Sequence, residues 1–476
     1  MSELRSKTIH GVLWGAVERF SVQGITFVVM IIMARILTPK DYGLIGMLSI
    51  FMAVAQSLID SGFSQALIRK QNRTEIDNST VFYFNIVVSC LLYLIFFFSA
   101  PWVAQFYHEP LLCPVMRVLC ISILINSLAV VQRAIYTIRI DFKSQAKASF
   151  TAALVSGIVG IWMAYIGYGV WALVYQQLLN FGVNALMLWL MSSWRPLWTY
   201  SWKSFQDLFG FGSKLLLSGL LDCTYMNIYP IVIGKIFSAV DLGHYTRAHQ
   251  FAQFPSSNVT GIIQRVTYPV LCKLQDDDER LSTNYRKLLR LSAYIIFPLM
   301  VGLSTVSRPF ILLIIGEKWE FCSMLLSIIC FSMMWYPVHA INLNLLQVKG
   351  RSDLFLRLEI IKKVIGISIL CISIPLGLVA MCYGSIVGSL TALIINTYYT
   401  GKLIHVGFLT QMRDLLPCLS LCAAMFVGIH VVIAFLSDLW LQLVLGILTG
   451  LLIYLIGSRL FRFQEMQELM TILKRK

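Results

Sequence analysis

Two short stretches decide the fold: residues 34–44 read ARILTPKDYGL, and residues 234–244 read GKIFSAVDLGH. At an offset of 200 positions, the matching pairs are Arg35 with Lys235, Ile36 with Ile236, Asp41 with Asp241 and Gly43 with Gly243. An aspartate just before a helix accepts hydrogen bonds from the free N–H groups of the first turn, and a glycine permits a tight turn. Each copy therefore predicts a turn that ends one long helix and begins the next.

The composition places these helices in a membrane. Of the 476 residues, 58% are hydrophobic and 13% are charged, and the mean hydropathy is +0.76. Soluble domains carry roughly twice that share of charged residues. Because a membrane-spanning helix needs roughly 20 apolar residues, we predict an all-α membrane protein with about fourteen transmembrane helices. The predicted spans are 9–36, 42–66, 80–104, 112–135, 147–167, 169–191, 206–234, 240–270, 288–315, 321–347, 359–377, 380–403, 414–436 and 439–460.

The repeated turn divides these helices into two lobes. Its copies lie at the hairpin of predicted helices 1–2 and at that of helices 7–8, so the repeat distance is six helices. Because six is even, both copies have the same orientation, as in transporters built from parallel repeats. The predicted organisation is a six-helix lobe over 1–200, helices 7–10 over 201–357, helices 11–12 completing the second lobe over 358–404, and two additional helices with a tail over 405–476.

The distribution of basic residues predicts the orientation. With the N-terminus in the cytoplasm, the cytoplasmic segments hold most of the 38 lysines and arginines, among them Arg73, Arg133 and Arg280. The opposite loops and their edges hold Lys40, Lys235 and Lys318. This asymmetry follows the positive-inside rule, and it predicts a multi-pass inner-membrane protein with both termini in the cytoplasm. The net charge of +15 is then a consequence of topology and does not indicate a nucleic-acid partner.

Nothing in the sequence favours an enzyme. No loop is long enough for a catalytic domain, which weighs against a membrane-embedded polysaccharide polymerase. The P-loop pattern G-x-x-x-x-G-K-[ST] is absent, so no ATP hydrolysis is expected. The acidic run at residues 276–278 is better explained as a solvated loop or a helix start than as a metal site. We therefore expect no catalytic residue, no metal and no cofactor.

Several charged residues fall within the predicted spans. A charge at membrane depth is costly and normally faces a cavity or a partner. The basic candidates for a cationic, substrate-binding cavity are Arg19, Arg117, Lys214 and Arg247. The acidic candidates for ion coupling are Glu18, Asp60 and Asp222. Arginine suits phosphate because its planar fork donates paired hydrogen bonds. Local pairing or a position near the headgroups remains the alternative for each of these residues.

Five motifs resemble one known family. They are ARILTPKDYGL, Asp60-Ser61-Gly62, Tyr245-Thr246-Arg247-Ala248, Pro255 and Gly316-Glu317-Lys318-Trp319. Together they resemble the polysaccharide transporters of the MOP flippase superfamily, the nearest branch being the Wzx-like exporters of the colanic acid type. The resemblance implies a flippase that moves an undecaprenyl-diphosphate-linked oligosaccharide for capsule, exopolysaccharide or O-antigen assembly by alternating access, coupled to an ion. It implies the lipid-linked oligosaccharide, the bilayer and a polysaccharide polymerase or export complex as partners.

Two other exporters of the same superfamily remain alternatives. A multidrug exporter would favour an acidic cavity because many of its substrates are cations, whereas the deep charges here are slightly more basic than acidic. A lipid II exporter would have the same number of helices. The sugar composition of the cargo does not follow from these residues.

The topology makes a direct prediction. Reporter fusions after Lys40, Lys318 and Asp438 should be active outside the cytoplasm, because few basic residues flank these turns. Fusions after Arg73 and Arg280 should be active inside. Paired alkaline phosphatase and fluorescent-protein fusions measure both sides, and an external signal at either inner position contradicts the predicted topology.

Overall fold

The protein is helical throughout the part that the structure, a computed structural model, describes: residues 21–60 and 63–474. No strand occurs in these ranges, so the prediction of an all-α protein is confirmed for them. The chain forms two compact units, Met1–Gly243 and His244–Lys476.

The first unit contains ten helices within its described residues. They are α1 Ser21–Ile36, α2 Pro39–Asp60, α3 Phe63–Arg69, α4 Glu75–Tyr107, α5 Leu112–Leu119, α6 Ile121–Ile138, α7 Phe142–Tyr165, α8 Val170–Met191, α9 Trp202–Met226 and α10 Ile228–Ile236. Helix α11, Ala239–Cys272, begins in this unit and continues into the second.

The second unit continues with nine further helices. They are α12 Asp278–Thr305, α13 Ser307–Ile314, α14 Glu320–Met333, α15 Tyr336–Val348, α16 Ser352–Ser373, α17 Leu378–Ile404, α18 Phe408–Ala434, α19 Leu439–Leu460 and α20 Gln464–Lys474. Short 3-10 helices cover Glu317–Trp319 and Ile374–Leu376.

Length and apolar composition identify nine membrane-spanning candidates among the described residues. They are Pro39–Arg69, Glu75–Tyr107, Leu112–Ile138, Phe142–Tyr165, Asp278–Thr305, Glu317–Val348, Leu378–Ile404, Phe408–Ala434 and Leu439–Leu460. The chain is also helical over the described parts of the other predicted spans, which contain more polar residues. The count of fourteen spans remains a prediction.

Short polar side chains begin several of the long helices. At the start of α4, Thr74 and Asp77 form a reciprocal capping box, and Asp77 also accepts a hydrogen bond from Lys70 at 2.8 Å. Asp277 accepts from the backbone N–H of Arg280 at 3.0 Å at the start of α12. The acidic run at 276–278 therefore begins a helix, as predicted, because its carboxylate satisfies an N–H group that has no partner inside the helix.

Small residues let helices of the same unit approach closely. In α7, Ala148, Ala152 and Gly160 belong to a buried row, and a side chain at Gly160 would press against Gln176 of α8. In α19, Gly450 and Gly457 lie against side chains of α18. Lipid tails are as apolar as leucine, so close packing of small residues is a main source of helix association in a membrane.

The two copies of the repeat have the same local geometry. In the first copy, the hydroxyl of Thr38 donates to the Asp41 carboxylate at 2.7 Å, and the Asp41 N–H donates to that hydroxyl at 3.4 Å. In the second, the hydroxyl of Ser238 donates to Asp241 at 2.7 Å, and the Asp241 N–H donates back at 3.0 Å. Thr38 and Ser238 are thus the N-caps of α2 and α11. Asp41 and Asp241, expected just before these helices, lie at the third helical position and accept a hydrogen bond from the capping hydroxyl.

Within the first unit, the two copies also contact each other reciprocally. A methyl group at Gly43 would overlap the backbone oxygen of Ala239, and one at Gly243 would overlap the backbone oxygen of Pro39. Pro39 and Ala239 are themselves equivalent positions of the repeat. The contact is therefore self-complementary, like an isologous interface around a two-fold axis. Glycine is required on both sides because the backbones meet where a side chain would lie.

Alanine at either glycine should destabilise the protein. Because the clash is with backbone atoms, we expect Gly43→Ala or Gly243→Ala to lower the free energy of unfolding by about 1–3 kcal/mol, the usual cost of overpacking. Thermal unfolding of the purified protein, followed by tryptophan fluorescence, measures the effect.

Gly182 provides a matched control. It lies inside α8 with no heavy atom near the position of an added methyl group. Alanine there should be neutral or stabilising, by up to about 1 kcal/mol, because alanine favours a helix. Equal melting temperatures for Gly43→Ala, Gly182→Ala and the unchanged protein would contradict the close contact.

Candidate functional site

The structure describes the predicted site residues to different extents. Glu18 and Arg19 lie outside the described residues. Asp60 is the last residue of α2 and Lys214 lies within α9, and their side chains also lie outside the described part. Asp222 lies further along α9, with an exposed side chain.

Arg117 is half-buried in α5 and interacts with α4. Its Nε donates to the carbonyl oxygen of Phe97 at 3.2 Å, and its guanidinium lies 4.4 Å from the centre of the Phe97 ring. The carbonyl group and the ring of Phe97 are both neutral, so neither cancels the positive charge of Arg117. The side chain also ties the two helices together, because a cation over an aromatic ring is attracted by the ring's electron density.

Arg247 belongs to the motif that opens the described part of the second unit. The preceding His244 packs edge-on against Trp319, with ring centres 5.6 Å apart, and Tyr245 stacks on His249 at 5.8 Å. The residue just before the Tyr245–Ala248 motif thus contacts the last residue of the Gly316–Trp319 motif. Arg247 itself is half-buried in α11.

The first unit also contains a polar chamber that the sequence analysis did not identify. Its volume is about 270 Å³, and it lies among α1, α6, α7 and α8. The lining residues are Val22, Arg133, Gln145, Ser149, Asn180, Phe181, Asn184 and Leu188. We call these eight residues the Arg133 chamber.

Amide side chains hold the arginine of this chamber. Nη2 of Arg133 donates to Oδ1 of Asn184 at 3.4 Å and to Oδ1 of Asn126 at 3.5 Å. Nδ2 of Asn184 in turn donates to the Ser149 hydroxyl at 3.5 Å. Nε2 of Gln145 donates to Thr137 Oγ1 at 3.0 Å. The network connects α6, α7 and α8 through neutral groups.

The charge of Arg133 has no counter-ion in the described part of the chain. No aspartate or glutamate is among the lining residues, and no ion pair joins Arg133 to a described carboxylate. A buried or half-buried guanidinium is normally paired, so an arginine held only by amides retains the ability to attract an anion.

The two cavities described in the second unit differ in this respect. One, of about 640 Å³, is lined by Arg290 and Arg413 together with Asp414 and Glu465. Glu465 pairs with Arg290 at 3.4 Å. The other, of about 430 Å³, contains Arg308, which pairs with Glu320 at 3.0 Å. Both are therefore partly neutralised by the protein itself.

Arg133 is predicted as one of the basic residues of the cytoplasmic side, at the end of the span 112–135, whereas the structure places it inside α6, before the last turn. A signal was available in the spacing of polar residues. Asn126 and Arg133 are seven residues apart, and Asn180 and Asn184 are four apart, so each pair occupies one face of its helix. Uncharged amides within an apolar helix indicate a site less clearly than charged residues do.

The fold and the chamber define a multi-pass helical membrane protein that keeps polar groups within apolar helices. Residues 32–324, more than half of the chain, match the family described as "Polysaccharide biosynthesis protein". The chain belongs to this family, and the predicted resemblance to Wzx-like polysaccharide transporters is confirmed.

Known relatives agree with this assignment. The lipopolysaccharide biosynthesis protein WzxC of Escherichia coli K12 is 26% identical over 400 residues, which cover 83% of this chain and 80% of WzxC. The succinoglycan biosynthesis transport protein ExoT of Rhizobium meliloti is 22% identical over 330 residues, covering 69% of this chain and 67% of ExoT.

A solved structure supports the fold. The lipid II flippase MurJ, in an inward closed conformation, superposes with a TM-score of 0.76 at 15% identity, covering 94% of this chain and 98% of MurJ. At this identity the likeness concerns the fold. Among the relatives, ExoT is named as a transport protein, and this name does not describe an enzyme, as predicted for this chain.

The ion pairs of the second unit give a prediction about stability. Arg286 makes two hydrogen bonds of 2.7 Å to Asp414, whose side chain is 7% exposed. Arg286→Ala would leave that carboxylate nearly buried and unpaired. We expect a loss of about 1–3 kcal/mol, below the 3–5 kcal/mol of a fully buried pair, because Arg286 itself is 42% exposed.

The exposed pair Arg308–Glu320 is the control, with side chains 63% and 62% exposed. Arg308→Ala should cost less than about 1 kcal/mol. Thermal unfolding compares the two variants, and the double variant Arg286→Ala/Asp414→Ala should recover part of the loss. Similar melting temperatures for Arg286→Ala and Arg308→Ala would show that Asp414 does not depend on its partner.

Proposed function

We propose that this protein is a flippase that moves a lipid-linked oligosaccharide from the inner to the outer leaflet of the bacterial inner membrane, for the assembly of a surface polysaccharide. Membership of the polysaccharide biosynthesis family supports the class of cargo. The names of WzxC and ExoT connect relatives to lipopolysaccharide and to succinoglycan transport. The expected carrier is undecaprenyl diphosphate.

The observation that carries the proposal is an uncompensated arginine within apolar helices of a protein from this family. Moving a charged, hydroxyl-rich headgroup through hydrocarbon is unfavourable, because each polar group loses its hydrogen bonds to water. A flippase must replace those bonds along the path. The Arg133 chamber offers a guanidinium, amides and a hydroxyl in a membrane-spanning part of the first unit.

The predicted charged residues extend this proposal. Arg19, Arg117, Lys214 and Arg247 are proposed to provide further positive charge along the cargo's path. Glu18, Asp60 and Asp222 are proposed to couple transport to an ion, because an embedded carboxylate can carry a proton or help bind Na⁺. Alternating access of two six-helix lobes, with both termini in the cytoplasm, is the proposed mechanism.

The alternatives predict different cargo. A multidrug exporter of cations would be served by acidic cavities, whereas the Arg133 chamber has no acidic lining residue in the described part of the chain. A lipid II exporter would share the chemistry of the carrier but not the cargo that the names of WzxC and ExoT indicate. A polysaccharide polymerase would need catalytic groups outside the membrane, for which the predicted loops are too short.

Deleting the gene tests the function. We expect an oligosaccharide linked to undecaprenyl diphosphate to accumulate in the cytoplasmic leaflet, because its synthesis continues while its export stops. Lipid extraction and mass spectrometry identify it, and its sugars identify the cargo. Re-expression of the unchanged gene is the control.

Three results would reject the flippase proposal. Surface polysaccharide could remain normal with no accumulated intermediate. Accumulated lipid II would favour the peptidoglycan alternative. Drug sensitivity with normal glycans would favour a multidrug exporter.

A further inference from the structure

We propose that the Arg133 chamber is a binding site for an oxyanion that is covalently attached next to sugar hydroxyl groups. This inference rests on the proposed function and specifies which chemical group of the cargo the first unit recognises. Two sources share this chemistry: the diphosphate of the lipid carrier and the carboxylate of an acidic sugar.

The Arg133 guanidinium has N–H donors available for a bound anion. Arg133 has five N–H donors, and the hydrogen bonds to Asn126 and Asn184 both use Nη2. Nε and Nη1 make no hydrogen bond to a described residue. Both bonds of Nη2 are long, at 3.4 and 3.5 Å, and their acceptors are neutral. An incoming oxyanion would make shorter, charge-assisted bonds to the same fork.

A buried amide beside the guanidinium is also incompletely satisfied. Asn126 is 1% exposed, and its Nδ2 has no hydrogen-bond partner in the described part of the protein. Leaving a buried donor without a partner costs about 1–3 kcal/mol. Asn126 does not line the chamber, but its Oδ1 accepts from Arg133, so the polar network that holds the guanidinium is not fully matched within the described part of the chain.

The other amides of the chamber complement a sugar. The amide nitrogen of Asn180 donates to Ser156 at 3.2 Å, and that of Gln145 donates to Thr137 at 3.0 Å. These bonds fix both side chains and leave their amide oxygens, Oδ1 of Asn180 and Oε1 of Gln145, as acceptors without a bond to a described residue. Sugar hydroxyls donate hydrogen bonds, so fixed acceptors next to an arginine match an anionic sugar or a sugar phosphate.

The size of the chamber fits a headgroup fragment. A volume of about 270 Å³ corresponds to roughly nine water molecules at about 30 Å³ each. This is room for one phosphate or carboxylate with part of a sugar ring. The chamber would therefore bind the part of the cargo closest to the charged group.

The depth of the chamber also fits a lipid-linked anion. Arg133 lies five residues before the end of α6, about 8 Å along the helix at 1.5 Å per residue. Ser149 lies seven residues after the start of α7, about 10 Å from that end. The predicted topology places both helix ends at the cytoplasmic side. The chamber is then near the boundary of the headgroup layer, where the phosphate of a membrane lipid lies.

The competing explanation is that Arg133 only clamps α6 to α8. A structural clamp and a binding site differ in ligand affinity, which stability alone does not report. The experiment therefore measures the binding of two small probes to the full-length protein in lipid nanodiscs. Farnesyl diphosphate represents the carrier's diphosphate, and octyl glucuronide represents an acidic sugar. Octyl glucoside has the same sugar ring without the charge.

We expect the unchanged protein to bind at least one charged probe more tightly than octyl glucoside. Arg133→Gln should weaken that binding about tenfold or more, because the charge and the paired donors are lost. Arg139→Gln is the matched control: it removes the same charge one residue after α6 ends, at an exposed position that does not line the chamber. Its affinity should remain within about twofold of the unchanged protein, since exposed charges contribute weakly.

The two charged probes identify the source of the anion. A dependence on Arg133 that is confined to farnesyl diphosphate assigns the chamber to the carrier, and one confined to octyl glucuronide assigns it to the sugar. If Arg133→Gln does not yield folded protein, Arg133→Lys decides, because lysine keeps the charge but loses the fork. Failure of the unchanged protein to bind either charged probe, or unchanged affinity in the decisive variant, would overturn the site.

These outcomes are separable from the proposed function. Accumulation of a lipid-linked glycan in the deletion strain, with probe binding independent of Arg133, would support the flippase and reject the chamber. Binding that depends on Arg133 in a protein whose deletion causes no accumulation would reject the flippase and retain an anion site.

Discussion

The reciprocal backbone contact between the two repeated turns is the constraint on which the first unit depends. Gly43 meets Ala239, and Gly243 meets Pro39, at positions where no side chain fits. Beside this contact, Thr38 and Ser238 cap α2 and α11 by accepting hydrogen bonds from the N–H groups of Asp41 and Asp241, so both helices begin with the same hydrogen bonds. Because the two turns share a sequence pattern and pack against each other, one set of local contacts serves both copies. A short motif therefore determines much of the helix arrangement in the first unit.

The second constraint is the satisfaction of polar groups among apolar helices. Most buried polar side chains find partners within their own unit: Gln411, for example, exchanges hydrogen bonds with Asn342 at 3.1 Å and donates to Thr400 at 3.0 Å. Such a network holds helices together at little cost, because its donors and acceptors are matched. The Arg133 chamber differs from it by a positive charge that its amide partners cannot neutralise. That difference, and not polarity alone, distinguishes the chamber as a candidate for function.

The sequence predicted the fold well where identical residues or long apolar runs indicated it. The identical residues Asp41 and Asp241 indicated the repeat. Thr38 and Ser238 did not, because they are different residue types although both carry a hydroxyl group. The site was harder to predict. Arg117 lies in a predicted span, but its contact with Phe97 depends on the packing of α5 against α4, which spacing does not reveal. Arg133 lies at the cytoplasmic end of the predicted span 112–135, where a basic residue fits the positive-inside rule and needs no functional role. The chamber becomes visible only when three helices bring their amides together.

The motifs that identify the family and the residues that would bind the cargo lie in different parts of this chain. The residues 34–44 pack against 234–244, and the motif around Tyr245 packs through His244 against Trp319, so these motifs are accounted for by turns and helix contacts. Relatives at 22–26% identity are named for lipopolysaccharide biosynthesis and for succinoglycan transport. Motifs that are accounted for by turns and helix contacts leave recognition to residues outside them. Gln145, Asn180 and Arg133 meet that condition, because they contribute to a chamber and to none of the motifs.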